Sequence, residues 1–262
     1  MLKLLQSSPA RSGPSGMTGG FLGQLSVSDR SRIDPHLERF PVARGMTLFT
    51  ASEPSEHVYF SQGPLISLEH GNQIEIAVIG SEGLVGWPAM VGCLTSRYDA
   101  VVRGKDGALF RIRADRLQSI VQSRPSIGMA ILRFANVVNV QMAETIGAHA
   151  LHRVDMRVAR WLLLRHDRVG GDEIIVQHDE LARNLGARRA SVTDCLHVIE
   201  GDGLVRCRRG RILVRDRGGL EDLAAGCYGE AESFYREVIG WFGKSVPHEI
   251  ARSISVGATM LA

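Results

Sequence analysis

Residues 181–196 read LARNLGARRASVTDCL, two helical patterns on either side of a glycine. Leu181 and Leu185 lie four apart, on one face of a first helix. Gly186 suits the left-handed backbone of a tight turn. Beyond it Val192, Leu196 and Ile199 recur at helical spacing, so a second helix buries its own stripe. Two short amphipathic helices about a glycine turn describe a helix-turn-helix, whose second helix begins in the major groove of DNA. Arg188 and Arg189 stand at that beginning, and an arginine fork bonds guanine O6 and N7 or clamps a phosphate.

The next stretch, GLVRCRRGRILVRD (residues 203–216), alternates like a β-hairpin and crowds Arg208, Arg209 and Arg211 around Gly210. A hairpin directly after a helix-turn-helix is a wing, and a basic tip suits adjacent phosphates. Taken alone, the 181–196 arginines also fit the solvated face of a plain helical hairpin; the wing weighs against that. Residues 181–217 hold nine arginines against four acids, in a chain whose formal net charge is only +3. That local excess is the electrostatic footprint of a DNA-binding face.

Composition excludes several classes. No apolar run reaches the ~18–20 residues of a membrane span. The opening MLKLLQSSPARSGPSG lacks the apolar core of a secretory signal, so residues 1–20 are expected to be a disordered extension, with Met17 as an alternative start. Cys93, Cys195, Cys207 and Cys227 are scattered, with no CxxC pair, which argues against a zinc ribbon, an iron–sulfur cluster or a disulfide framework and favours a cytoplasmic setting. There is no nucleophile elbow, phosphate loop or paired-carboxylate motif, and so no enzyme is expected.

Short strands punctuated by glycine and proline run from about Phe40 to Arg113, the pattern of a small sandwich, jelly roll or barrel, within a domain expected over residues 21–124. Ile66 and Leu68, then Ile74, Ile76 and Val78, alternate on either side of a Gly71-Asn72 turn. Residues 125–152 read as one long helix and hinge, opened by Pro125. Ile127, Ile131, Phe134 and Val138 follow the 4-3-4 spacing of a coiled-coil seam, which turns polar at Gln141 and Thr145. Leu132, Val137, Val140, Met142 and Ile146 make the helix apolar over more than one face. It therefore calls for cover on two sides, by the β-domain and by a second copy of the chain. Val154, Val158, Trp161 and Leu162 mark the buried face of a further helix ended by Gly170-Gly171. Residues 153–226 then form the winged helix-turn-helix unit, and 227–262 a helical tail.

In this order of parts, residues 35–225 resemble the Crp/Fnr family of bacterial transcription regulators. The segment DELARNLGARRASVTDCL is similar to the family's L-A-x-x-L-G-x-x-R-x-S/T-V block, with Leu181, Ala182, Leu185, Gly186, Arg189, Ser191 and Val192 at matching places. RGMTLFTASEPSEHVYFSQG resembles the first β-roll strands, although Ser52 stands where glycine is usual. The resemblance implies an α+β fold: an N-terminal β-roll (jelly-roll-like), a long dimerisation helix and a C-terminal winged helix-turn-helix domain. It implies a homodimeric, sequence-specific regulator on a palindromic operator, with double-stranded DNA, a second copy and RNA polymerase as partners. The position of Arg189 then contacts bases, and its two helpers are Ala190 and Asp194. Asp194 suits cytosine N4 or holds Arg189 in place. His178, Arg188, Ser191, Thr193, Arg208, Arg209 and Arg211 complete the expected DNA contacts. Gln177 replaces the usual Ser or Thr cap of the first helix.

The family's cyclic-AMP binders use a G-E-L glutamate and an R-S/T-A arginine. Here Gly86-Trp87-Pro88 and Tyr98-Asp99-Ala100 stand at those places, without the carboxylate and without the guanidinium. A buried phosphate lacking a charged partner is costly. Cyclic AMP is therefore not expected, nor any other cofactor, and Gly86, Trp87, Tyr98 and Asp99 mark a degenerate pocket. The alternative is a metal- or small-ligand-dependent protein built on His149, His152 and Asp155, at i, i+3 and i+6 of a helix, whose helix-turn-helix serves protein contacts.

Overall fold

The computed structural model describes residues 20–71 and 73–244. Asn72 of the expected turn, the extension through residue 19 and the tail beyond residue 244 lie outside the described residues. Two short helices, α1 (Gly20–Gln24) and α2 (Val27–Ile33), precede the first strand, and the Ser26 hydroxyl caps α2 by accepting from the Asp29 N–H at 3.1 Å.

Eight strands follow: β1 (Glu38–Val42), β2 (Thr47–Phe49), β3 (His57–Ser61), β4 (Leu65–His70), β5 (Ile74–Ile79), β6 (Leu84–Val85), β7 (Asp99–Arg103) and β8 (Gly107–Arg113). They form two four-stranded antiparallel sheets, β1-β8-β3-β6 and β2-β7-β4-β5, whose neighbours are mostly distant in sequence. Val58, Phe60, Ile66, Leu68 and Leu109 fill the interior. Ser52 holds a left-handed backbone, φ 68°, which explains why its place favours glycine.

The β4–β5 hairpin departs from simple alternation. Leu68 pairs with Ala77 and Glu69 with Glu75, so the register slips by one residue at Ile76. Ile74 is left 37 % exposed while Glu75 is buried. Val78 packs against Leu164 rather than into the roll.

After α3 (Ala114–Ser123) comes the long helix α4 (Pro125–Leu151). Its expected seam is internal: Ile127, Ile131, Phe134 and Val138 are buried among the roll's own residues. The polar end of that seam is buried too, because Gln141 Oε1 accepts the Val78 N–H at 2.6 Å and the Thr145 hydroxyl donates to Gln141 O at 2.8 Å. Gly83 permits the approach; a Cβ there would lie 2.0 Å from Phe134 Cζ. A different stripe of α4 stays exposed, with Met129, Leu132, Asn136, Asn139, Ala143, Ile146 and Ala150 at alternating steps of three and four.

The remaining described residues build α5 (Val154–His166), β9 (Glu173–Ile175), α6 (His178–Asn184), α7 (Arg189–Gly201), β10 (Val205–Arg208), β11 (Arg211–Val214), α8 (Arg217–Leu223) and α9 (Glu230–Val238). Strand β9, which periodicity did not reveal, extends the wing to a three-stranded sheet, β10-β11-β9. Val158, Leu162, Leu181, Val192, Leu196, Ile212 and Leu220 form the second core. Helix α9 then returns to the roll. Tyr235 and Phe242 join the first core, and the Tyr235 hydroxyl donates to Glu82 O at 3.0 Å.

Candidate nucleic-acid interface

Helix α7 begins at a solvent-facing end. Val192, Leu196 and Ile199 are buried, which turns Arg188, Arg189, Ala190 and Asp194 outward, all exposed. Ser191 and Thr193 are half-buried beside them. His178 opens α6, and its Nδ1 lies 3.3 Å from the Thr193 hydroxyl, tying the two helices together. Burial, His197 and Arg189 hold the His178 ring below the usual histidine range. Gln177 makes no side-chain cap to α6.

The wing is fastened to the same helix, because Glu200 Oε1 accepts the Cys207 N–H at 2.9 Å. Arg208 and Arg209 are exposed at its tip, where Gly210 takes φ 72°. Arg211 instead donates to Glu173 of β9 at 2.9 Å, so part of its charge is spent within the wing. Arg206 and Arg215 are exposed on the same hairpin; period-two alternation of the strand would have found Arg206. Among the described residues Arg188, Arg189, Arg208 and Arg209 form no salt bridge. They are cations held outward at the start of α7 and the tip of the wing.

The degenerate pocket is brought together only in part. Gly86 and Tyr98 line a cavity of about 10 Å³ with Phe49, Ser55 and Pro88. Gly86 has φ 87°, and a Cβ there would meet His57 O at 2.5 Å. Burial pushes the Tyr98 phenol up to about 12. Trp87 turns elsewhere, edge-on to Phe134 with ring centroids 6.1 Å apart. Asp99 accepts the Ala51 N–H at 2.6 Å.

His149, His152 and Asp155 do not converge. His149 places Nδ1 2.8 Å from Thr145 O and Nε2 3.2 Å from Leu185 O, bridging α4 to the end of α6. Asp155 accepts from Arg153 at 2.8 Å and from the Met156 N–H at 3.0 Å. His152 lies against Gly226. No group of three metal-ligating side chains comes together among the described residues.

What periodicity could not find is the polar seam joining the two cores. Arg165 forks onto Glu75, Nη1 to Oε1 at 2.7 Å and Nη2 to Oε2 at 2.5 Å, and lies over the Trp161 ring at 3.3 Å. Arg168 Nε donates to Glu82 at 2.7 Å, and Asn184 Nδ2 to Gln73 O at 3.0 Å. Glu180 of α6 is held by Arg44 and, at 3.8 Å, by Arg103. The available signal was a pair of arginines in and just after the apolar helix α5.

A β-roll, a long helix with a free stripe and a basic winged helix-turn-helix define the class: a two-domain protein of the kind that reads DNA. Residues 156–223 match the Crp-like helix-turn-helix domain. Solved structures agree on the fold. A Crp/Fnr-family transcriptional regulator of Thermus thermophilus is 21 % identical, with 73 % of this chain and 100 % of that one covered and a TM-score of 0.61. FixK2 of Bradyrhizobium japonicum is 16 % identical, covering 73 % and 99 %, with a TM-score of 0.63. CLP of Xanthomonas campestris, described as a c-di-GMP responsive global regulator, is 20 % identical, covering 72 % and 99 %, with a TM-score of 0.60. No curated protein matches the chain in sequence. Residues 156–223 thus carry a Crp-like helix-turn-helix domain, inside a fold shared with solved Crp/Fnr-family regulators.

Proposed function

We propose that the chain is a homodimeric, sequence-specific transcription regulator that reads a palindromic operator and whose roll does not take cyclic AMP. The observation that carries the reading is the outward, ion-pair-free start of α7 at Arg188 and Arg189. Arg189, with Ala190 and Asp194, faces base edges; Arg188, His178, Ser191, Thr193 and the wing arginines hold the phosphates.

The exposed α4 stripe supports the dimer. Its heptad spacing is that of a two-stranded coiled coil, apolar at Met129, Leu132 and Ile146 and polar at Asn136 and Asn139, which fix register. Pairing there sets the two recognition helices about one DNA turn apart, ~34–36 Å. Residues 21–124 serve as sensor, 125–152 as dimerisation helix and hinge, and 153–226 as reading head. The work is done in the cytoplasm, with RNA polymerase as the downstream partner and no covalent chemistry. The cavity at Gly86 and Tyr98 has neither carboxylate nor guanidinium on its wall, and the adjoining cavity of about 510 Å³ that shares Pro88, Ser96 and Tyr98 adds Arg97 but no carboxylate, which supports the reading that cyclic AMP is not the signal.

The test is enrichment of random duplex DNA by the purified protein, with and without cyclic AMP, followed by Arg189→Ala on the recovered sequence. A two-fold palindrome in both arms is expected, with Arg189→Ala weakening specific binding by about 1–3 kcal/mol. Enrichment of no motif, or unchanged affinity of Arg189→Ala, overturns the reading.

A further inference from the structure

Five buried side-chain polar atoms lack a hydrogen-bond partner among the described residues, and four belong to side chains lining one cavity. They are Arg157 Nε, Arg160 Nε, Trp161 Nε1 and Asn184 Oδ1. Arg160, Trp161 and Asn184 are 6 %, 3 % and 1 % exposed. The cavity holds about 10 Å³, room for one particle of water's size. It lies where β5, α4, α5 and α6 meet, between roll and winged domain.

The charge there is uneven. Glu75 is the one carboxylate on the cavity wall, and Arg165 takes both its oxygens. Arg160 has a 3.3 Å bond to the neutral Gln141 carbonyl. Burial lowers the affinity of Arg157 and Arg160 for their protons, as expected of guanidiniums short of countercharge. Glu232 faces Arg160 electrostatically, but burial pushes its own carboxyl up toward the protonated form.

We infer that this cavity is a binding site for one small monovalent anion of the halide class, held by Arg157, Arg160 and Trp161. A water accepts two hydrogen bonds, leaving a third donor and the excess positive charge unanswered. An anion accepts all three N–H groups and supplies the missing charge. Asn184 Oδ1, the single acceptor among these four unpartnered atoms, is the one feature that suits water better. Occupancy would tie the winged domain to the roll from within.

The experiment is crystallisation of the full chain with sodium bromide in place of chloride, with data collected at the bromine edge. The expected result is an anomalous peak in the cavity, lost in Arg160→Met. Trp161→Phe keeps the ring over Arg165 and removes only the N–H, so it serves if Arg160→Met does not fold; it is expected to reduce the peak several-fold. In solution, replacing chloride by glutamate at fixed ionic strength is expected to lower the Tm of the wild type and not that of Arg160→Met. A wild-type cavity filled by water without anomalous signal overturns the assignment. So does a peak that neither substitution diminishes.

Discussion

Glu75→Gln leaves the Arg165 guanidinium in place and takes away its charge partner. Arg165 is 2 % exposed and the Glu75 side chain 4 %, with two N···O contacts at 2.5 and 2.7 Å. Charge centres about 4 Å apart attract by about 4 kcal/mol at an effective dielectric of about 20. Removing one member of a buried pair costs about 3–5 kcal/mol, since the other stays desolvated. Glu75→Gln should therefore lose about 3–4 kcal/mol. Replacing both as Glu75→Gln/Arg165→Met should recover to within about 1 kcal/mol of wild type, because the uncompensated charge has gone. Urea unfolding of the wild type, both single variants and the double variant gives the coupling energy. A Glu75→Gln cost under about 1 kcal/mol, with coupling near zero, would refute the claim that roll and winged domain are joined there.

Three further outcomes follow from the same structure. Leu132→Glu with Ile146→Glu places charges on the exposed α4 stripe, so sedimentation equilibrium should find monomer and palindrome affinity should collapse; an unchanged dimer mass would mean that the pairing face lies elsewhere. Ser52→Gly relieves a left-handed side chain and should stabilise the chain by about 0.5–1 kcal/mol once glycine's unfolded-state entropy is subtracted, and a drop in Tm would contradict it. The His166 ring accepts from Arg217 at Nδ1 (2.9 Å) and donates from Nε2 to Asp172 (2.9 Å), so it is bound in its neutral form, and burial depresses its proton affinity. The unfolded chain then binds the proton more tightly, so stability rises with pH and is lost as pH falls below about 6.5 toward the folded-state pKa. His166→Gln should flatten that acid limb in a pH series of unfolding midpoints.

Much of the helix-turn-helix was legible because one side of it has a single period. The α7 stripe of Val192, Leu196 and Ile199 is fully buried, and that alone points Arg188 and Arg189 at solvent. Helix α4 was harder for the opposite reason. Two apolar stripes run along it, and spacing cannot tell which meets the chain's own roll; the seam at Ile127, Ile131, Phe134 and Val138 turned inward. At β5 a one-residue slip undid the alternation, placing Glu75 rather than Ile74 in the buried seam. The arginines that join the cores are invisible to hydropathy, which counts Arg165 and Arg168 as surface. Of the four residues expected to mark a degenerate pocket, Gly86 and Tyr98 share a cavity wall, while Trp87 packs on Phe134 and Asp99 bonds the Ala51 N–H.

Helix α9 has a consequence for the chain's birth on the ribosome. Domains usually close in the order they are synthesised. Here Gln24 donates to the Tyr235 hydroxyl at 2.9 Å across 211 positions, and Tyr235 and Phe242 sit in the core with Phe134. The first domain therefore waits for the last described helix. Until the winged domain has been made, the roll is missing a wall, and a message cut short within the wing yields neither part finished.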